Sequence, residues 1–221
     1  MRRVVGWDRD AVVREYQKLA RLAAAAPPVF DLGCGSGTLL ETLRALGVDA
    51  VGVDSSASAV RECRSRGLAA MQVDAIGALR SSTAGGWGTV VAAHVVEHLP
   101  VDAARTLFAL AHSALRPGGQ LIVLTPNPRN IYVAGEGFWT DPTHVRPYPA
   151  PLLETLALDA GFSEIRVRGW WGGMTARQKV FGVLRWLATA GLHDAASVLL
   201  VMARKSAEEL KQSREHGAVR S

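Results

Sequence analysis

Residues 29 to 40 read V-F-D-L-G-C-G-S-G-T-L-L, and this stretch decides the fold. A short apolar run, Val29, Phe30 and Leu32, leads into Gly33, Gly35 and Gly37, and an apolar helical pattern follows from Thr38. That is a buried strand, a glycine turn and a helix start, an arrangement that lets backbone N–H groups approach a ligand closely. A dinucleotide-binding turn needs G-x-G-x-x-G/A, with a third small residue for helix–strand packing. Counted from Gly33, that place falls to the β-branched Thr38. The pattern is instead D-x-G-x-G-x-G, with Asp31 at the end of the strand. Taken alone, such a turn also fits a purely structural strand–helix connection. The residues downstream decide.

The chain of 221 residues suits one α/β domain with a substantial core. Its 48% hydrophobic content argues for a globular protein and against disorder. No apolar run approaches a membrane span, the longest lying around Val198 to Ala203, and no apolar segment follows Met1-Arg2-Arg3 as a secretory signal requires. Cys34 and Cys63 fit neither a disulfide framework nor a zinc spacing, which points to a reducing, cytoplasmic setting. The net charge of +5 owes much to Arg2, Arg3, Lys205, Lys211, Arg214 and Arg220 near the ends, so no nucleic-acid partner is expected. A monomer or a homodimer fits equally.

Strand and helix patterns alternate along the chain, as in a parallel sheet with crossover helices. Residues 8 to 24 form a helical pattern with Val12, Val13, Tyr16, Leu19, Ala20 and Ala23 as its apolar stripe, and Pro27-Pro28 ends it. After a helix over about 38 to 46, D-A-V-G-V-D (49 to 54) is the second strand, closing at Asp54. A-A-M-Q-V-D-A (69 to 75) is the third, ending at Asp74, and G-T-V-V-A-A-H (88 to 94) the fourth. A helix over about 103 to 115 runs into the turn L-R-P-G-G (115 to 119) and strand five, Q-L-I-V-L-T-P-N. A helix from Pro149 to Ala160 precedes strand six, G-F-S-E-I-R-V-R-G-W-W, and A-S-V-L-L-V-M-A is strand seven. Residues 176 to 190 read as an amphipathic lid or packing helix, with a membrane-surface or dimer contact as the other reading, and 205 to 221 as a charged tail beyond a single domain over 1 to 204. No internal repeat is found.

The D-x-G-x-G-x-G turn, the acids closing strands two and three, the E-H after strand four and the L-R-P-G-G turn follow one another over about residues 28 to 126. In this order they resemble the motifs of Rossmann-like S-adenosylmethionine (SAM) methyltransferases, with a further likeness to bacterial glycan and small-molecule O-methyltransferases. The resemblance implies a three-layer α/β sandwich with a seven-stranded, mostly parallel sheet whose last strand is antiparallel and lies at the sheet's end. It implies SAM as cofactor, held by Asp31, Gly33, Cys34, Gly35, Gly37, Asp54, Ser55, Asp74, Ala75 and His94. Asp54 can accept both ribose hydroxyls or cap the next helix. Asp74 would receive the adenine amino group, with the Ala75 N–H on the ring, or serve as a cap. Tyr16 either lies over the aminoacyl end or belongs to the core. One departure stands out: Trp87-Gly88 occupies the place where the family starts strand four with Phe-Asp.

His94 to Pro100 reads H-V-V-E-H-L-P, and in a helical turn His94, Glu97 and His98 share one face. Such a face, with His144, can hold a divalent metal such as Mg²⁺, or it can be pocket lining. The spacing is similar to the E-x-x-E-H of ubiquinone-type O-methyltransferases and small-RNA 2′-O-methyltransferases, with His94 in place of the first Glu. Residues 126 to 150 are an expected acceptor loop, since long loops in compact domains are often functional. Its D-P-T-H-x-R-P-Y piece is similar to a segment of methyltransferases linked to glycan synthesis. Asp141, Trp139 and Tyr148 would meet a sugar ring, and Arg146 would pin a carboxylate or phosphate. The other reading is a proline-stiffened loop whose polar groups satisfy their own backbone.

The expected reaction is in-line transfer of the methyl group to an oxygen, in first place a hydroxyl of a sugar or glycosylated metabolite. An alkyl hydroxyl needs a base as the bond forms, and His98 or His144 is the expected base. Two other acceptors remain, a phosphate or carboxylate oxygen and a catechol-type small molecule. So does a different class of protein, a SAM-binding partner subunit without catalysis.

Overall fold

The computed structural model describes residues 9–171, 179–180, 183 and 196–207. Seven strands form one sheet in the order β3-β2-β1-β4-β5-β7-β6. They are β1 (Val29–Leu32), β2 (Ala50–Asp54), β3 (Ala70–Gln72), β4 (Trp87–Ala93), β5 (Leu115–Pro126), β6 (Glu164–Trp170) and β7 (Val198–Arg204). Strands β1 to β5 pair in parallel, and β7 runs antiparallel to both of its neighbours. Flanking the sheet among the described residues are α1 (Arg9–Ala23), α2 (Thr38–Ala45), α3 (Ala57–Ser65), α4 (Ala75–Arg80), α5 (Val101–Ala114) and α6 (Ala150–Asp159).

Period-two burial on the central strands explains the three layers. Val90, Ala92, Leu121 and Val123 pack with Leu107, Phe108, Leu153 and Leu156 of α5 and α6. Their neighbours Val91, Ala93, Ile122 and Leu124 point the other way, onto Leu19 and Ala23 of α1 and Leu39 and Leu43 of α2. A smaller cluster of Cys34, Leu40, Val60, Cys63 and Leu68 joins the glycine turn to α3. No helix among the described residues is long and apolar enough to cross a membrane.

The fold matches the expected sandwich with one correction of topology. Strand β7 does not close the sheet; it lies between β5 and β6, and β6 forms the edge. The reason is burial. In β7, Leu199, Leu200, Val201 and Ala203 are covered on both faces, whereas β6 alternates exposed Glu164, Arg166 and Arg168 with half-buried Ile165 and Val167. Charged side chains suit an edge strand, whose outer backbone groups face solvent.

Three local differences follow from capping and close packing. Strand β3 stops at Gln72, and Asp74 instead caps α4, its side chain accepting from the Gly77 N–H at 2.9 Å. Residues 131 to 140 wind into helical turns, Val133–Gly137 and Phe138–Thr140, where a loop was expected. Asn130 starts them by accepting from the N–H groups of Tyr132 and Val133. At Gly88, a Cβ would come 2.4 Å from the carbonyl oxygens of Ala26 and Pro27. Trp87 beside it stacks on Phe30 with ring centroids 4.5 Å apart. The Trp87-Gly88 pair therefore fills by stacking and backbone contact the place where an acid was expected. The helix expected over 176 to 190 lies, apart from three residues, outside the described residues, as does the tail from 208 onward.

Candidate active site

The ends of β1, β2 and β4 meet over the glycine turn, at the carboxyl edge where open α/β sheets bind ligands. Gly33, Gly35 and Gly37 all take positive φ, at 70, 52 and 85°. A Cβ at Gly35 would meet nothing within 4 Å, so the crest of the turn faces open space. The Gly35 N–H donates to Asp54 Oδ2 at 2.9 Å, and the Ser56 N–H donates to Oδ1 at 2.8 Å. Ser56, not Asp54, caps α3 with its own side chain. Each Asp54 oxygen retains a lone pair for a ribose hydroxyl. Ser55 follows it at the same strand end, and Ala75 opens α4 beside Asp74. Cys34 is buried, and its thiol is pushed up in pKa by burial and by the Asp31 charge.

Asp31 is buried at 3% exposure. Burial first, and then the neighbouring Asp54 carboxylate, push its pKa up from 3.8 to about 8. The folded protein therefore holds this proton more tightly than the unfolded chain. Its contribution favours the folded state at low pH and is lost as pH rises toward about 8. Cofactor-free protein is expected to lose melting temperature from about pH 6 to about pH 8, and Asp31→Asn to lose less over the same range. An equal or steeper loss in the variant would show that Asp31 is not the group responsible.

After β4 the chain turns sharply at His94, a non-glycine residue with φ of 57°. Such a left-handed position is uncommon outside glycine, though histidine is among the residues that tolerate it, and it is often met at functional sites. His94 Nδ1 lies 3.1 Å from Glu97 Oε1, and Thr125 Oγ1 donates to Glu97 Oε2 at 3.0 Å. Burial disfavours the His94 charge, but the hydrogen bond and charge of Glu97, with the charge of Glu15, raise its pKa overall. The fully buried Glu97 thus has both oxygens engaged.

The segment over residues 126–150 is stapled to this turn. The N–H groups of Val145 and Arg146 both donate to the Glu97 carbonyl, at 2.8 and 3.3 Å. The staple brings His144 beside His98, with ring centroids 4.8 Å apart. His144 Nδ1 is 2.7 Å from the Phe138 carbonyl oxygen. His98 Nδ1 faces the Thr143 carbonyl oxygen at 3.2 Å and Thr143 Oγ1 at 3.0 Å. Since the Thr143 hydroxyl is 2.6 Å from Asp141 Oδ1 and donates to it, both groups of Thr143 accept from His98. Carbonyl oxygens only accept, so both imidazoles carry a proton on Nδ1, and in the neutral ring it is Nε2 that offers a lone pair for chemistry.

One ligand atom each from Glu97, His98 and His144 lies within 4.8 Å of the others. His94 is not of this group, since its ring turns to the Glu97 carboxylate instead. Two imidazoles with one carboxylate suit a borderline transition metal, not Mg²⁺, which prefers an all-oxygen shell. Held there, such an ion would supply Lewis-acid polarisation of a bound hydroxyl.

Of the expected acceptor residues, only Trp139 is well exposed, at 61%. Tyr148 is a correction: it is fully buried in the main core, and its hydroxyl donates to the Leu99 carbonyl at 2.8 Å. A ring packed there cannot stack on a sugar. Arg146 lies over that ring at 5.4 Å, and its Nε–H donates to the Pro147 carbonyl at 3.4 Å, so part of the guanidinium serves its own loop. Asp141 accepts from the Thr143 backbone and hydroxyl, which hold its carboxyl below the usual range.

Sequence reasoning did not find Glu15, Thr125 or Thr143. A signal for Glu15 existed: it is three residues after Val12 and four before Leu19, an acid on the apolar stripe of α1.

A family model for the methyltransferase domain matches residues 6–167. The chain belongs to that family. A solved SAM-dependent methyltransferase of Archaeoglobus fulgidus shares its fold, with a TM-score of 0.77 over 90% of this chain and 95% of that one, at 22% identity. A ubiquinone biosynthesis O-methyltransferase of Xanthomonas axonopodis pv. citri is 32% identical over 135 residues, 55% of this chain and 56% of that protein. One of the same name from Methylococcus capsulatus is 36% identical over 136 residues, again 55% and 56%. The chain spans about half the length of these curated relatives. The open glycine crest and the acids at or near the strand ends would suit SAM, the cofactor named for the solved relative.

Proposed function

We propose that the methyltransferase moves the methyl group of SAM, in line, to a hydroxyl oxygen of an acceptor bound beside residues 126–150, with His98 and His144 supplying the base. The observation that carries this reading is the matched pair of Nδ1 contacts. They set the Nδ1–H tautomer of the neutral rings and turn both Nε2 atoms, on adjacent rings 4.8 Å apart, to the proton-accepting role. The sulfonium is already reactive, so the protein's part is alignment, exclusion of water and removal of the hydroxyl proton. Asp31, the glycine turn, Asp54, Asp74 and His94 would hold the cofactor, while Trp139, Asp141 and Arg146 would border the acceptor.

The sugar-hydroxyl reading draws on the exposed ring of Trp139, which can stack on a pyranose face. A catechol-type acceptor is the second reading, and a different observation favours it. Ile131, Tyr132, Trp139 and Val145 are all exposed apolar or aromatic side chains of the same segment, a lining that suits an aromatic acceptor. It is also in keeping with relatives named for O-methylation in ubiquinone biosynthesis.

The purified chain, given SAM with methyl glycosides in one series and catechols in another, is expected to yield an O-methyl product detectable by mass. Transfer confined to the glycosides would assign the first reading and transfer confined to the catechols the second. Cofactor binding with no transfer to any hydroxyl, but transfer to a phosphate or carboxylate, would overturn both.

A further inference from the structure

Glu15 on α1 is 7% exposed, and its Oε1 is buried with no hydrogen-bond partner. Burying a carboxylate in this way costs stability, so its place on an otherwise apolar helix face needs a return. Its surroundings give the direction. His94 at the end of β4 and Lys18 on α1 act on it electrostatically, and the indole N–H of Trp170 at the end of β6 is turned toward it without full hydrogen-bond geometry. Next to it, Tyr16 is surrounded by Asp31, Cys34 and Glu97 as well as Glu15. Since β4 and β6 point the same way, Glu15 overlooks the carboxyl edge of the sheet, on the helix that covers the glycine turn.

We propose that Glu15 is a cofactor-binding residue, whose free carboxylate oxygen receives a cationic centre of SAM. The cofactor carries two such centres, the sulfonium and the α-ammonium of its methionine part. Glu15 and Glu97 both act on Tyr16, so two carboxyl groups border this place, which suits either. The buried carboxylate also has its pKa raised, chiefly by desolvation, as expected of an anion awaiting a counter-charge. The inference rests on SAM as cofactor and not on the identity of the acceptor.

The test is calorimetric titration of wild type and Glu15→Gln with SAM, S-adenosylhomocysteine and methylthioadenosine. The second ligand lacks the sulfonium, and the third lacks both charged centres. SAM is expected to bind Glu15→Gln about 10- to 100-fold more weakly, with methylthioadenosine unchanged. A parallel loss for S-adenosylhomocysteine assigns the α-ammonium, and its retention assigns the sulfonium. The cofactor-free variant is expected to melt at or above the wild-type temperature, since an unpartnered buried charge has gone. Unchanged SAM affinity, or equal weakening of all three ligands, overturns the proposal. Glu15→Asp keeps the charge and serves if glutamine prevents folding. It is expected to discriminate SAM from methylthioadenosine as wild type does, and loss of that discrimination in a folded Glu15→Asp also overturns it.

Discussion

Replacing His98 or His144 with alanine is expected to slow methyl transfer by about 100- to 10,000-fold, the range that a positioned general base contributes. Binding of SAM is expected to stay close to wild type, because the hydrogen bonds of the two rings run to Thr143 and Phe138 and not to the glycine turn or Asp54. The two imidazoles sit on different elements: His98 closes the Val96–His98 turn after β4, and His144 belongs to the segment over residues 126–150. Their proximity depends on the Glu97 carbonyl accepting from Val145 and Arg146, so each variant removes a base without loosening that staple. If the pair works as one unit, the double variant will be scarcely slower than the worse single one. Turnover measured with and without EDTA separates proton transfer from metal assistance. Insensitivity to the chelator assigns the base to the imidazoles themselves; activity lost to EDTA and restored by a transition metal assigns them to an ion held with Glu97. Wild-type turnover in both single variants would sink the proposal.

The second large effect is on the cofactor. Asp54→Ala is expected to weaken SAM binding by about 100-fold or more, at about 1.5–3 kcal/mol for each charge-assisted hydrogen bond to the ribose. Asp54 also accepts the N–H groups of Gly35 and Ser56, so the alanine variant leaves the crest of the turn without its anchor. The change is best read by calorimetry with SAM and S-adenosylhomocysteine, which share the ribose and should weaken together. Binding of both within about twofold of wild type would return Asp54 to a purely structural role at the end of β2.

Much of this molecule was legible in one dimension. The run Val29 to Leu40 contains a strand, a turn that needs positive φ at three glycines, and the start of α2. Each depends on local chemistry alone: apolar burial, backbone freedom and the pitch of a helix. The alternation of strands and helices implied a parallel sheet for the same reason, and Asp54 closes β2 as its spacing implied, while Asp31 lies one residue inside the end of β1 and Asp74 two residues past β3. Even the position of β7 was encoded, since V-L-L-V-M-A is apolar on both faces and E-I-R-V-R-G-W on one, though a family likeness set β7 at the edge instead.

What tertiary structure alone decided lies in contacts between residues distant in sequence. The aromatics of residues 138 to 148 look alike in the sequence, yet Phe138 and Tyr148 are interior and Trp139 is exposed, because the Glu97 staple and the Leu99 carbonyl pull the segment into the core. A run of polar, aromatic and proline residues carries no period from which burial can be read. His94 lies outside the group of Glu97, His98 and His144, its left-handed backbone going with a ring turned to Glu97, and His144, expected in that group, reaches it only because the Glu97 carbonyl holds the neighbouring residues. Glu15 gained its place over the sheet from the packing of α1 against the strands. Pattern determines which face of an element is buried, whereas the identity of the group that meets a polar side chain there depends on how the elements are assembled.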